Sequence, residues 1–288
     1  MIKESLLHCA GIGPVRLAQL HEAGVRSWHD VLRDVERLPI GSSAPLVEEC
    51  DRCIDALETK NIRYFVDHLA PLDKWRIVSE FLDETSFFDI ETTGLEHDSR
   101  ITVIACWHRG EVLTFVEHEN LDDFLRLLDD VTLLASFNGS SFDVPRVLDA
   151  FHIPHLPCPH LDLRWPCYHK GFRGSLKSIT ARLGFARPFD LQDADGELAV
   201  HLWNRWTLDQ DHGARDLLLR YCASDVILLA MLAHRLADRV ITSPADWWLP
   251  LPSKTELPCA ATPVASTTRS TFGVGSPSKL RARGKRTA

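Results

Sequence analysis

The hydrophobic pattern of this chain changes character near residue 86. Before it, over residues 44–82, apolar side chains recur at helical spacing: Leu46, Val47, Cys50, Ile54 and Leu57, then Tyr64, Phe65, Leu69, Leu72, Trp75, Ile77, Val78, Phe81 and Leu82. After it come short apolar runs of strand length. Residues 86–90, 101–107 and 112–116 are three strand candidates, the last two joined by a turn at His108-Arg109-Gly110-Glu111. Residues 121–128 read as an amphipathic helix, 131–137 as a buried strand, and 144–151 as a helix with Pro145 in its first turn. A short fifth strand is expected at Leu161-Asp162-Leu163, and helices at 176–183, 197–206 and 211–240. Three antiparallel strands followed by alternating helices and strands predict an α/β fold: a mixed sheet flanked by helices, preceded by a small all-α region.

This pattern divides the chain into a helical region (1–75), an α/β domain (76–240) and a tail (241–288). Trp247 and Trp248 open the tail and are expected to pack back on the domain or to meet a partner. From about residue 258 the tail is polar and basic, too poor in apolar residues to bury a core, and disorder is the expectation. Its Lys279, Arg281, Arg283, Lys285 and Arg286 offer a phosphate contact. Six Lys/Arg and no Asp/Glu lie from Pro258 onward, which leaves −14 on the first 257 residues of a chain with net charge −8. An acidic body argues against bulk electrostatic binding of nucleic acid, but not against a local site where bound metals reverse the sign. No apolar run approaches the roughly 20 residues needed to cross a bilayer, and the first residues lack the apolar core of a signal peptide. A cytoplasmic location without membrane contact is the expectation.

Near the N-terminus, a short apolar helix is expected to break at Gly11-Ile12-Gly13. Pro14 then suits the first position of a second helix, and Gly24 its C-terminal cap. Gly11 and Gly13 permit a tight turn and close approach by a partner, and amides at the second helix's start can hold a phosphate. The segment resembles a helix-hairpin-helix motif, which implies sequence-independent binding of a nucleic-acid backbone, often DNA. A plain helical hairpin packed on the next domain is the alternative. A second copy is at best a trace at Leu38-Pro39-Ile40-Gly41.

The candidate chemistry is acidic. In a strand, Asp89 and Glu91 share a face. Two carboxylates held side by side repel unless a cation sits between them, and a hard divalent ion with oxygen ligands is the usual answer. Asp143 closes Asn138-Gly139-Ser140-Ser141-Phe142-Asp143 at a strand-to-helix junction, where open α/β sheets place their sites. Tyr221 and Asp225 lie i, i+4 on one helix face.

These three motifs, in this order, resemble those of the DEDD exonucleases, and the tyrosine marks the DEDDy branch. Residues 75–240 more closely resemble the RNase H-like exonuclease domain of the YprB-type bacterial family, with Gly174-Ser175-Leu176-Lys177 and the Leu161-Asp162-Leu163 strand in support. The resemblance implies a metal-dependent 3′→5′ exonuclease. Asp89, Glu91, Asp143 and Asp225 would hold two Mg2+ or Mn2+ ions, and Tyr221 would orient the attacking water. Thr92, Thr93 and Leu95 would contact the terminal nucleotide, and Asn138 would shape the site. The implied partner is nucleic acid with a free 3′ end, single-stranded DNA favoured over RNA.

Two other readings stand beside this one. The first is a catalytically silent nuclease fold that binds DNA through its hairpin. The second is a Cys/His metal or redox protein, resting on Cys50-Asp51-Arg52-Cys53 and on the looser set His155, Cys158, His160, Cys167 and His169. No second CxxC completes a zinc site, and eight cysteines in a cytosolic chain read as buried thiols.

Overall fold

The computed structural model describes residues 1–40, 43–96, 98–192 and 194–253. The basic tail from residue 258 and Gly41 of the degenerate hairpin trace lie outside the described residues. Five strands form one sheet: β1 (Thr85–Thr92), β2 (Ile101–His108), β3 (Glu111–Val116), β4 (Leu133–Ser136) and β5 (His160–Asp162), in the order β3-β2-β1-β4-β5. The β1–β2 and β2–β3 pairs are antiparallel, and the β1–β4 and β4–β5 pairs are parallel. This is the mixed sheet the pattern predicts. Arg109 and Gly110 both take positive φ, at 51° and 88°, as a two-residue hairpin requires. The parallel pairs need crossovers, which contain α6 (Asp123–Leu128) and α7 (Asp143–Ala150).

The pleat sorts the sheet's side chains onto two faces. Phe88 and Ile90 of β1 and Ile104 and Cys106 of β2 cluster with Phe124, Leu128 and Val147 of α6 and α7. Val103 and Ala105 of β2 point the other way, onto Ala223, Val226 and Ile227. Those three belong to α11 (His212–Leu236), which lies beside α9 (Leu176–Arg182) and α10 (Gly196–Asp209). By length and composition α11 is apolar enough to cross a bilayer, a property the sequence reading assigned to no segment. Here it is the core helix of the domain, buried over most of its length.

The helical region splits into more pieces than its periodicity suggests. Residues 44–82 fold as α3 (Ala44–Glu58), α4 (Ile62–His68) and α5 (Trp75–Glu80). Lys60 turns into the left-handed region, and the Asn61 side chain then caps α4 by accepting from the Tyr64 amide. No helix forms immediately ahead of Gly11. A 3₁₀ turn at Ile2–Glu4 and successive tight turns stand there instead. This short stretch buries Ile2 and Leu6, and its Ser5 carbonyl accepts from Trp28 Nε1 at 2.6 Å. The second helix of the expected hairpin is present as α1 (Pro14–Glu22). Gly24, at φ 82°, closes it: its amide donates to His21 O and that of Val25 to Leu20 O, the paired bonds of a Schellman cap. Trp28 opens α2 (Trp28–Arg33).

The helical region and the sheet share a core. One hydrophobic cluster runs from Ile2, Leu6 and Trp28 through Phe65 and Ile77 to Phe87 and Leu133 of the sheet and Leu232 of α11. At the other end of the described chain, Trp247 stacks on Trp107 with ring centroids 5.3 Å apart.

Trp28 is fully buried and stacks on Phe65. Trp28→Ala is expected to lower stability by about 3–5 kcal/mol, the usual cost of deleting a buried aromatic. Urea denaturation followed by circular dichroism checks this. Because the core is shared, the loss should appear in a single transition that includes the sheet.

Candidate active site

The site begins with the pleat of β1. With Phe88 and Ile90 committed to one face, Asp89 and Glu91 must face α11. There the ligand atoms of Asp89, Glu91 and Cys222 all lie within 4.8 Å of one another. Tyr221 and Asp225, one turn apart on α11 and flanking Cys222, come to the same spot. Asp143 arrives from the far side of the sheet, as the first residue of α7. Asp89, Glu91, Asp143, Tyr221 and Asp225 line one cleft of about 740 Å³. Thr92, Leu95 and Asn138 line it too; Gly11, Gly13 and Thr93 do not.

The electrostatics follow from this crowding. Burial pushes the carboxyl of Asp89 well up, and the charges of Asp225, Asp143 and Glu91 add to that. Glu91 is raised by burial and by Asp225. Asp225 is raised by burial against the opposing pull of Arg187. Asp143 is pushed up to about 7, mainly by burial, while backbone amides of Asp143 and Ile90 oppose the shift. Burial and the neighbouring Asp225 charge also raise the Tyr221 phenol, which stays protonated. The buried Glu91, Asp143 and Asp225 and the half-buried Asp89, which resist ionising together, form a candidate acidic metal-binding group.

Two cations that the sequence reading did not assign meet this group. The buried Arg187 donates to Asp225 Oδ1 and lies over the Tyr221 ring, while its Nε makes no hydrogen bond. Lys177 Nζ donates to the Tyr221 hydroxyl at 3.0 Å and to Ala194 O at 2.9 Å. Lys177 belongs to the quoted Gly174-Ser175-Leu176-Lys177 stretch, so its place is legible in hindsight. Arg187 sits before a proline in a loop and carries no sequence signal.

The walls are held by polar groups. Asp162, at the end of β5, accepts from the amides of Asn138 at 2.8 Å and Ser140 at 3.1 Å. Asn138 takes positive φ, and its side chain accepts from Arg164. Gly139 has no room for a side chain: a Cβ there would lie 2.1 Å from Ser136 Oγ and 3.2 Å from Asp143 Oδ2. Arg146 of α7 donates to the carbonyls of Leu95, Glu96 and Ser99, fixing the loop after β1. Within that loop, the Thr92 hydroxyl donates to Gly94 O at 2.6 Å, and the Thr93 hydroxyl accepts from the Arg100 amide. Leu95 is left 83% exposed on the cleft wall.

Residues 86–237 match the RNase H superfamily. This chain belongs to that superfamily. The match starts in β1 and ends just past α11, so the superfamily region contains all five residues of the acidic cleft. Among solved structures, the chain is similar to the family B DNA polymerase of the hyperthermophilic archaeon Pyrobaculum calidifontis, with a TM-score of 0.42 and 15% identity. That likeness covers 57% of this chain and 28% of the polymerase. No curated protein matches the chain.

The other clusters singled out by sequence lie outside the superfamily cleft. Cys53 Sγ is 3.2 Å from His8 Nε2, and His8 is 3.7 Å from Glu49, itself the acceptor for the Tyr64 hydroxyl. The loose His155-to-His169 set does not gather: His160 bonds to Ser136 Oγ at 2.8 Å, while Cys158 and Cys167 are separate buried thiols.

Two predictions follow from this scaffold. Gly139→Ala forces Ser136 or the Asn138–Phe142 turn to move and is expected to cost about 1–3 kcal/mol, read by thermal or urea denaturation. His160 is held neutral, its pKa pushed down to about 4 by burial. Its unfolded form takes up a proton near pH 6.5, so its contribution destabilises the fold as pH falls from about 6.5 toward 4. His160→Gln, which keeps a partner for Ser136, should flatten the fall of the melting temperature across that window.

Proposed function

We propose that this chain is a divalent-metal-dependent nuclease that removes nucleotides from free 3′ ends, single-stranded DNA being the favoured substrate. The observation that carries this reading is the convergence of Asp89, Glu91, Asp143 and Asp225 in one cleft. The donor set fits the group it would hold. Four carboxylates supply hard oxygen ligands, the set that suits Mg2+ or Mn2+ rather than a thiolate-seeking metal. Their mutual repulsion and burial would be relieved by divalent charge, and Asp89, Glu91, Asp143 and Asp225 would hold the two ions.

Bound there, the ions would supply a water made nucleophilic at neutral pH and charge to offset that on the leaving 3′ oxygen. The chain's own groups do the positioning. Tyr221 stays protonated, and its hydroxyl, anchored by Lys177, donates toward the attacking water. Arg187 offsets the Asp225 charge. Leu95 presents an apolar surface to the terminal base, while Thr92 and Thr93 act through the turn that their hydroxyls close. Asn138 shapes the wall between its contacts to Asp162 and Arg164. The Gly11–Gly13 turn ahead of α1 offers a second backbone contact, with amides at a helix start.

A nuclease fold that binds without cutting has one observation in its favour: Arg187 already neutralises Asp225. The test separates the two. The protein is incubated with 5′-labelled and 3′-labelled DNA and RNA oligonucleotides in Mg2+, Mn2+ or EDTA. The expected outcome is a descending ladder from the 5′ label and immediate mononucleotide release from the 3′ label, both abolished by EDTA. Asp89→Ala and Asp143→Ala should each lower the rate by at least about 100-fold with folding retained. Tight binding without cleavage in every metal condition would establish the silent alternative.

A further inference from the structure

Beside the acidic cleft, and sharing two wall residues with it, lies a second groove of about 520 Å³. Phe137 and Asn138 border both. The groove's outer side is α8 (Arg164–His169), a helix that the hydrophobic pattern did not reveal. One face of α8 is anchored by the buried Pro166 and Cys167. Its other face leaves Trp165 56% exposed and Tyr168 43% exposed, at i and i+3, with ring centroids 6.0 Å apart. Large aromatics so close together and so open are unusual on a surface with no binding role.

Both rings carry a cation. Arg164 lies over the Trp165 ring, and Arg173 lies 4.7 Å from the centre of the Tyr168 ring. The charge of the whole segment points the same way. Residues 163–189 contain six Lys/Arg and no Asp/Glu, in a chain of net charge −8. Arg164, Arg173 and the two aromatic rings thus put basic and aromatic groups beside the acidic cleft of a net negative chain.

We infer that this groove is a stacking platform for the single-stranded nucleic acid leading into the cleft. This inference rests on the nuclease reading and adds the path of the strand. Trp165 and Tyr168 take bases on their open faces. Arg164 and Arg173 meet the flanking phosphates, and Asn138 marks the passage from platform to cleft. Stacking on aromatic faces is tolerant of sequence, because every base has a π-face. The platform therefore selects for unpaired strands rather than for a motif, since bases within a duplex are already stacked on one another.

The experiment uses the full chain and two measurements. In the first, fluorescein-labelled oligothymidine of eight nucleotides is titrated in Ca2+ and followed by anisotropy. The Trp165→Ala/Tyr168→Ala variant is expected to bind at least about 30-fold more weakly than the unaltered chain, with Trp165→Phe/Tyr168→Phe recovering most of the loss. Arg173→Ala should flatten the dependence of log affinity on log salt by about 0.7, one phosphate contact on a single strand. In the second, kcat/KM is compared for the eight-nucleotide strand and for a dinucleotide, and the advantage of the longer strand should shrink in the double alanine variant. Unchanged affinity in that variant overturns the platform, as does a loss that phenylalanine fails to restore. If no oligonucleotide is hydrolysed by the unaltered chain, the nuclease reading falls, and the anisotropy series still decides the platform alone.

Discussion

The structure turns on the burial of Asp89 and Glu91 against α11. A strand that gives Phe88 and Ile90 to one core has no choice about where the alternate residues go. Here they go to the interior face of a central strand, against a helix that is itself buried. Moving carboxylates there is costly, and the cost is compounded by Asp225 and Asp143. The raised pKa values of all four groups are the electrostatic mark of that arrangement. Arg187 offsets one carboxylate and Lys177 acts at a distance through Tyr221, so the protein's own cations answer only part of the negative charge. The sheet and α11 hold this arrangement together, and a divalent cation, as proposed, would complete it.

The surrounding polar network serves the same constraint. Asp143 must reach the cleft from a helix on the opposite face of the sheet, so the turn from Asn138 to Phe142 has to be tight and fixed. Asp162 fixes it by accepting two of its amides, and Gly139 lets Ser136 approach. Ser136 is in turn bonded to His160, whose neutral state the same burial enforces. On the other wall, Arg146 spans from α7 to three carbonyls of the loop after β1. One helix thus carries both the first-turn carboxylate and the arginine that positions the facing loop, which couples the two walls of the cleft.

Much of this was legible in the sequence because it depends on local spacing. The i, i+2 carboxylates of β1 and the i, i+4 pair of α11 are consequences of strand and helix periods, and the structure brings them together as the spacing implies. The order of three antiparallel strands before the parallel ones follows from where the crossover helices fall. What was not legible depends on contacts between distant segments. Arg187 meets Asp225 across 38 residues and Arg146 meets Leu95 across 51, and neither has a pattern of its own. The helix expected before Gly11 failed for a related reason: Ile2, Leu6 and the Ser5 carbonyl are claimed by Trp28 and the shared core, and tertiary packing overrode a weak local preference. The break between the first two of the three helices in residues 44–82 turned on a single left-handed lysine and an asparagine cap, a signal that apolar periodicity does not register. In α8, a short helix with a proline inside it, no run of apolar residues was long enough to show.

The distribution of charge connects these features to the substrate. A net negative chain repels a polyanion at long range, and the acidic cleft would repel it most strongly at short range. Two devices reverse the sign locally. On the proposed reading, divalent ions would do so inside the cleft, where four carboxylates would otherwise exclude phosphate. Outside it, residues 163–189 carry six cations and no acid in sequence; of these, Arg164 and Arg173 border the groove, Lys177 reaches Tyr221 and Arg187 meets Asp225. On the proposed reading, a strand would meet the cations of the groove beside the carboxylates of the cleft. The acidic remainder would then work for selectivity, because it would weaken adhesion of nucleic acid elsewhere on the surface and favour encounters at the groove.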